Sequence, residues 1–177
     1  MSPASHARQA VAYTRAQLGE LPSNHIVTRI TTLGGSTACV ARMRTLPDHR
    51  VGTVRGIRQV AADAKAARCG NCGEYAAVAF DFLMLGGCPH AVEYAEYVSP
   101  GDHAFVIVGR PSDTDPANPS TWGRDAVVCD AWAGEVVFAA SYWTGMPRFP
   151  SAVHAPRVLV RCELGDFPIT NTRTRAA

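Results

Sequence analysis

Residues 73–85, GEYAAVAFDFLML, are the stretch that most restricts how this chain can fold. After its first turn the run has almost no polar face, and Gly86-Gly87 stops it. Such a segment is predicted as a helix that cannot lie on a surface, so other elements must cover it. Cys72 stands at its N-terminus.

Two more helices are predicted upstream. Residues 5–18 set Ala10, Val11, Tyr13, Thr14 and Leu18 near helical spacing before Gly19 and Pro22. Residues 53–68 do the same with Val54, Ile57, Val60, Ala61 and Ala64, with a stop near Gly70. Between them, residues 24–44 alternate loosely through Ile26, Val27, Ile30, Val40 and Met43 around Gly34-Gly35, and read as extended or irregular structure. Downstream the texture turns to short β-like runs at 91–98, 103–109, 126–130 and 157–162, which form an antiparallel sheet. Residues 110–124, rich in Pro, Ser, Asp and Asn, read as a long surface loop, and 170–177 as a flexible tail. The expected fold is therefore α+β, with one central Cys-bearing helix packed on a small antiparallel sheet. At 177 residues the chain suits a single domain over 1–170, with a helical or irregular part at 1–60 and the core at 61–165.

A thiol becomes a nucleophile when its thiolate is stabilised, and a helix N-terminus does this with unpaired N–H groups and partial positive charge. Cys72 is placed for that, and the small residues of Cys69-Gly-Asn-Cys-Gly73 leave room for a substrate carbonyl beside backbone N–H donors. The base is assigned to His103, which opens the apolar strand HAFVIV and shares a face with Phe105 and Ile107; that stripe is expected to pack on the central helix. Asp130 closes the apolar run AVVCD and is the candidate to orient the imidazole. Asp102, on the opposite face of the strand, is its weaker rival, and Glu74 reads as a favourable first-turn charge.

Each of the three has an ordinary alternative: Cys72 as a small buried residue, His103 as a core histidine, Asp130 as a turn former. Their order and element types together favour thiol catalysis. Cys69 and Cys72 also form a CxxC, yet Cys88-Pro-His90 is the only other near-pair for zinc, and the helical residues before Cys69 do not suit a redox motif, which follows a strand. Six cysteines are too sparse for a disulfide framework, and a reducing site of action is the simpler expectation. With 17 basic and 15 acidic residues spread along the chain, no basic block points to nucleic acid. No apolar run reaches the ~20 residues that cross a bilayer, and the first residues hold no secretory signal core.

The stretch GNCGEYAAVAFDFL from Gly70, then DHAFVIV from Asp102 and VVCDAW from Val127, resembles the core of the papain-like and transglutaminase-like thiol enzymes. The resemblance covers residues 68–132. It implies a Cys72–His103–Asp130 triad, no cofactor, and acyl transfer on a protein substrate. Among compact members it is closest to bacterial effector and toxin domains that deamidate glutamine or asparagine. Cysteine protease, transglutaminase and a catalytically silent binding module are the alternatives. A monomer exported to act on a host protein in another cell's cytosol is the matching expectation. One departure is visible: where papain-type proteases place a glutamine before the nucleophile, this chain has Lys65-Ala-Ala-Arg68, and the nearest upstream glutamine is Gln59.

Overall fold

The computed structural model describes residues 1–46, 51–97, 103–145, 155–163 and 166. Helix α1, Pro3–Leu18, is capped by Ser2, whose side chain accepts from the Ser5 N–H, and is closed by Gly19 at φ 110°. It buries Ala4, Ala7, Ala10, Val11 and Leu18, and this narrow alanine face allows close approach to its neighbours. Helix α4, Val54–Ala67, starts at the Thr53 cap and buries Ile57, Val60, Ala61 and Ala64. Helix α5, Cys72–Leu85, packs against both and against the sheet. Every residue from Tyr75 to Asp81 on α5 is buried, as its missing polar face requires.

Residues 24–44 overturn the expectation of extended or irregular structure: they form α2, Ile26–Thr31, and α3, Gly35–Met43. The β-branched residues favoured a strand on propensity alone. Here the hydroxyls of Thr31 and Thr32 donate to the Thr28 carbonyl, and the Gly34-Gly35 break lies between two helices. Leu33 and Gly34, at φ 51° and 81°, turn the chain in the left-handed region.

Strands β1 (Val92–Tyr97), β2 (His103–Val108), β3 (Val127–Asp130), β4 (Glu135–Phe138) and β5 (Arg157–Cys162) form one antiparallel sheet in the order β4-β3-β2-β1-β5. The architecture is α+β. Four strands fall where the sequence places them; β4 was not anticipated, and follows β3 through a tight turn in which the Gly134 N–H donates to the Asp130 carbonyl at 2.8 Å. A short helix α6, Tyr142–Gly145, follows β4.

Both faces of the sheet are covered. Val92, Tyr94, Ala104, Val106, Val108, Val127 and Cys129 meet the helices, while Ala95, Tyr97, Phe105, Ile107 and Val128 form a second core with Trp122 and Tyr142. This corrects the expected orientation of β2: the stripe of Phe105 and Ile107 faces away from α5, and Ala104, Val106 and Val108 face it. Residues 110–124 are also less superficial than expected, since Arg110, Pro119 and Trp122 are buried. The expected tail at 170–177 lies outside the described residues.

Cys39 on α3 is disulfide-bonded to Cys69, 30 residues on, while Cys72, Cys88, Cys129 and Cys162 are free thiols. The CxxC therefore contains one bonded and one free sulfur. Closing a loop of this length restricts the unfolded chain by about 3 to 4 kcal/mol in the chain-entropy treatment. Reduction, or Cys39→Ser, is accordingly expected to lower the unfolding free energy by about that amount in a urea titration. An unchanged midpoint would mean that the bond carries no stability.

Candidate active site

The turn that presents Cys72 is held from several sides. Arg68 ends α4 in the left-handed region at φ 53°, and Cys69 is fixed by its disulfide. Gly70 exchanges two hydrogen bonds with Ser23: its N–H donates to Ser23 Oγ at 3.0 Å, and its carbonyl accepts the Ser23 N–H at 2.9 Å. A Cβ at Gly70 would sit 2.6 Å from the Glu74 Cβ, so only glycine fits. Glu74 then accepts the Asn71 N–H at 2.8 Å, which completes the start of α5. Cys72 is the first residue of that helix and is partly exposed, whereas the other three free thiols are buried. The leading N–H groups of a helix have no intrahelical acceptor, and the first residues of α5, Cys72, Gly73 and Glu74, line one cleft.

His103 begins β2 and Asp130 ends β3, and because the strands are antiparallel these termini lie at the same end of the sheet. His103 Nε2 and Asp130 Oδ2 are 2.7 Å apart, with side-chain exposures of 7% and 0%. The second carboxylate oxygen of Asp130 accepts the Ala133 N–H at 3.0 Å, so the group cannot swing away. Burial alone would push the His103 imidazole down, but hydrogen bonds to Asp130 and Cys72, reinforced by their charges, hold it up at about 9. Since Nε2 is taken by Asp130, Nδ1 is the nitrogen left for the sulfur.

All three residues predicted for the site are thus brought together. Cys72 and His103 line one cleft of about 490 Å³, and Asp130 backs the imidazole from inside the protein. Val51, Val60 and Ala104 give the cleft apolar walls, and Tyr94 and Glu96 contribute from β1. Trp132 sets its ring edge-on to His103 with centroids 5.3 Å apart, and its indole N–H donates to Asn24 Oδ1 at 3.0 Å. Tyr75 is core, with its hydroxyl donating to the Gly19 carbonyl. Gln59 is exposed, bonded to Asp63, and does not line this cleft. Asp102 lies outside the described residues.

Arg44 was missed by sequence reasoning. It leaves the end of α3 and grips Glu74 with two bonds of 2.8 and 3.0 Å. Burial acts against the Glu74 carboxylate, yet the Arg44 bonds and the Asn71 N–H hold its pKa below the ordinary value. The only signal available was the Asn-x-x-Glu spacing at 71–74, which announces a helix start and says nothing of its cation.

No protein-family model, curated protein or solved structure matches this chain. What the site can do follows from its own geometry. A partly exposed thiol at a helix start, bonded to an imidazole that a buried carboxylate holds, is the arrangement that activates a sulfur nucleophile. Among the described residues no group of three or more His, Cys, Asp or Glu is placed to hold a metal ion, and no helix is long and apolar enough to cross a membrane.

Proposed function

We propose that the protein is a cysteine-dependent acyl-transfer hydrolase with a papain-like or transglutaminase-like core, and that it deamidates glutamine or asparagine in a protein substrate. The observation that carries this reading is the linked set Cys72, His103 and Asp130 at one cleft. With His103 held up at about 9, the imidazole carries its proton at neutral pH and stands as a cation beside the sulfur.

The Cys72 Sγ attacks the carboxamide carbon, and the developing oxyanion is met by N–H groups at the start of α5. The C–N bond breaks as His103 delivers its proton to the departing ammonia, which leaves a thioester. Water then attacks that thioester, gives a proton to His103, and releases the acid as the C–S bond breaks. Asp130 keeps the imidazole oriented throughout. A peptide amine leaving in the first step would make the same site a protease, and an amine attacking in the second a transglutaminase.

Mass spectrometry of host-protein mixtures incubated with wild type and with Cys72→Ala tests this. A thiol-dependent gain of about 1 Da on a glutamine or asparagine is the expected result. Thiol-dependent new termini or amine-linked products would replace deamidation with proteolysis or transglutamination. Identical spectra from the two proteins would favour a silent binding module.

A further inference from the structure

Besides Asp130, two carboxylates among the described residues lie near the nucleophile: Glu74, two residues along the same helix, and Glu96 from β1. An anionic sulfur in that company is disfavoured unless cations compensate it. His103 supplies one, and Arg157 pairs with Glu96. Glu74 is met by Arg44, whose guanidinium lies across both carboxylate oxygens and also lines the cleft. The Glu74 side chain is only 3% exposed, so water screens its charge poorly.

The Tyr94 hydroxyl locates these charges. It donates to the Gly73 carbonyl at 3.2 Å, directly beside Cys72 in the chain. Burial first, and then the charges of Cys72, Glu74 and Glu96, push this hydroxyl up, while Arg44 opposes them. The four charges are therefore gathered around the first turn of α5.

We infer that Arg44 is a positioning residue for the thiol chemistry, cancelling the buried Glu74 charge so that the cleft can hold Cys72 as an anion. The inference rests on the thiol-enzyme reading above. Glu74 itself is needed to accept the Asn71 N–H, so the turn requires a carboxylate or amide there, and a carboxylate requires a cation. The two-pronged grip of Arg44 meets both needs, since it fixes the carboxylate's direction and offsets its charge.

Iodoacetamide labelling at pH 7, with each free thiol followed separately by mass spectrometry, tests this without knowledge of the substrate. Cys88, Cys129 and Cys162 are buried and report whether each variant is folded. Arg44→Gln is expected to slow Cys72 labelling about tenfold with the three buried thiols still protected. Arg44→Lys, which keeps the charge and loses the fork, should fall between that variant and wild type. Glu74→Gln keeps an acceptor for the Asn71 N–H and should label at least as fast as wild type. The double variant Arg44→Gln/Glu74→Gln is the deciding arm. If charge compensation is the role, the double variant recovers to within about threefold of wild type. If Arg44 is only a brace, the double variant is as slow as Arg44→Gln or slower, and the inference is overturned. Wild-type labelling rates in Arg44→Gln would overturn it equally. Should Arg44→Gln expose the buried thiols, the folded double variant still decides by the same comparison. A wild-type Cys72 no faster than the buried thiols would sink the thiol-enzyme reading and this inference together, a result recognisable before any substitution is made.

Discussion

Asp130→Ala is expected to bring the His103 titration down from about 9 to below about 6.5, and to slow Cys72 labelling at pH 7 on the order of a hundredfold. Burial pulls the imidazole toward its neutral form, and the Asp130 hydrogen bond and charge are the larger part of what opposes it. Without them His103 is neutral at pH 7 and no imidazolium faces the sulfur. Asp130→Asn keeps an acceptor and loses the charge, so its midpoint should lie between the two. The His103 ring protons, followed by NMR across pH 5 to 10, give the midpoint directly, and a value still near 9 in Asp130→Ala would remove Asp130 from the site.

The same shift predicts how stability depends on pH. The folded value of His103 lies above the unfolded ~6.5, so the protonated ring stabilises the fold below pH 6.5 and this contribution is lost as pH rises through about 9. Its full size is on the order of 3 kcal/mol. Burial also pushes the Cys88, Cys129 and Cys162 thiols up, which removes stability once the unfolded thiols ionise near ~8.5, so urea titrations between pH 6 and 8 isolate the histidine. The decline over that interval should largely vanish in His103→Ala.

The parts of this molecule that could be read from sequence are those in which one signal stands alone. Helix α5 has no polar face to mislead, and β2 and β5 are bounded by residues unlike their interiors. Cys72, His103 and Asp130 stand out because each is a polar or reactive group at the end of an apolar run. Where two signals compete, the reading fails. In α2 the β-branched residues pointed to extended or irregular structure, while the threonine hydroxyls that bond back along the helix leave no periodic trace. Alternation along β2 could not say which stripe meets α5, because a sheet buried on both faces is apolar on both. The Cys39–Cys69 bond and the Arg44–Glu74 grip join residues 30 apart in each case, and no local pattern encodes either pairing.

A buried ion cluster at the end of β1 away from the cleft should dominate stability. Glu93 is fully buried and takes Arg110 at 2.8 and 2.5 Å and Arg161 at 2.7 Å. Arg110 in turn donates to the Thr114 carbonyl, and Arg161 to the carbonyl of Arg110, so the cluster ties β1, β5 and the start of the 110–124 segment together. Glu93→Ala leaves the buried Arg110 guanidinium without a counter-charge, which costs about 3 to 5 kcal/mol. For a chain of this size that corresponds to a fall in Tm of roughly 10 °C, measurable by calorimetry. Replacing the pair by Glu93→Leu/Arg110→Met removes both charges and should cost less than the single change, although Arg161 then loses a partner. A single variant that melts within about 1 °C of wild type would show that water reaches the cluster and carries the charge. Cys72 labelling below the melting temperature should be unchanged in either variant, because the register pairs Glu93 with Ile107 and Arg161, while His103 pairs with Tyr97 at the other end of the strand.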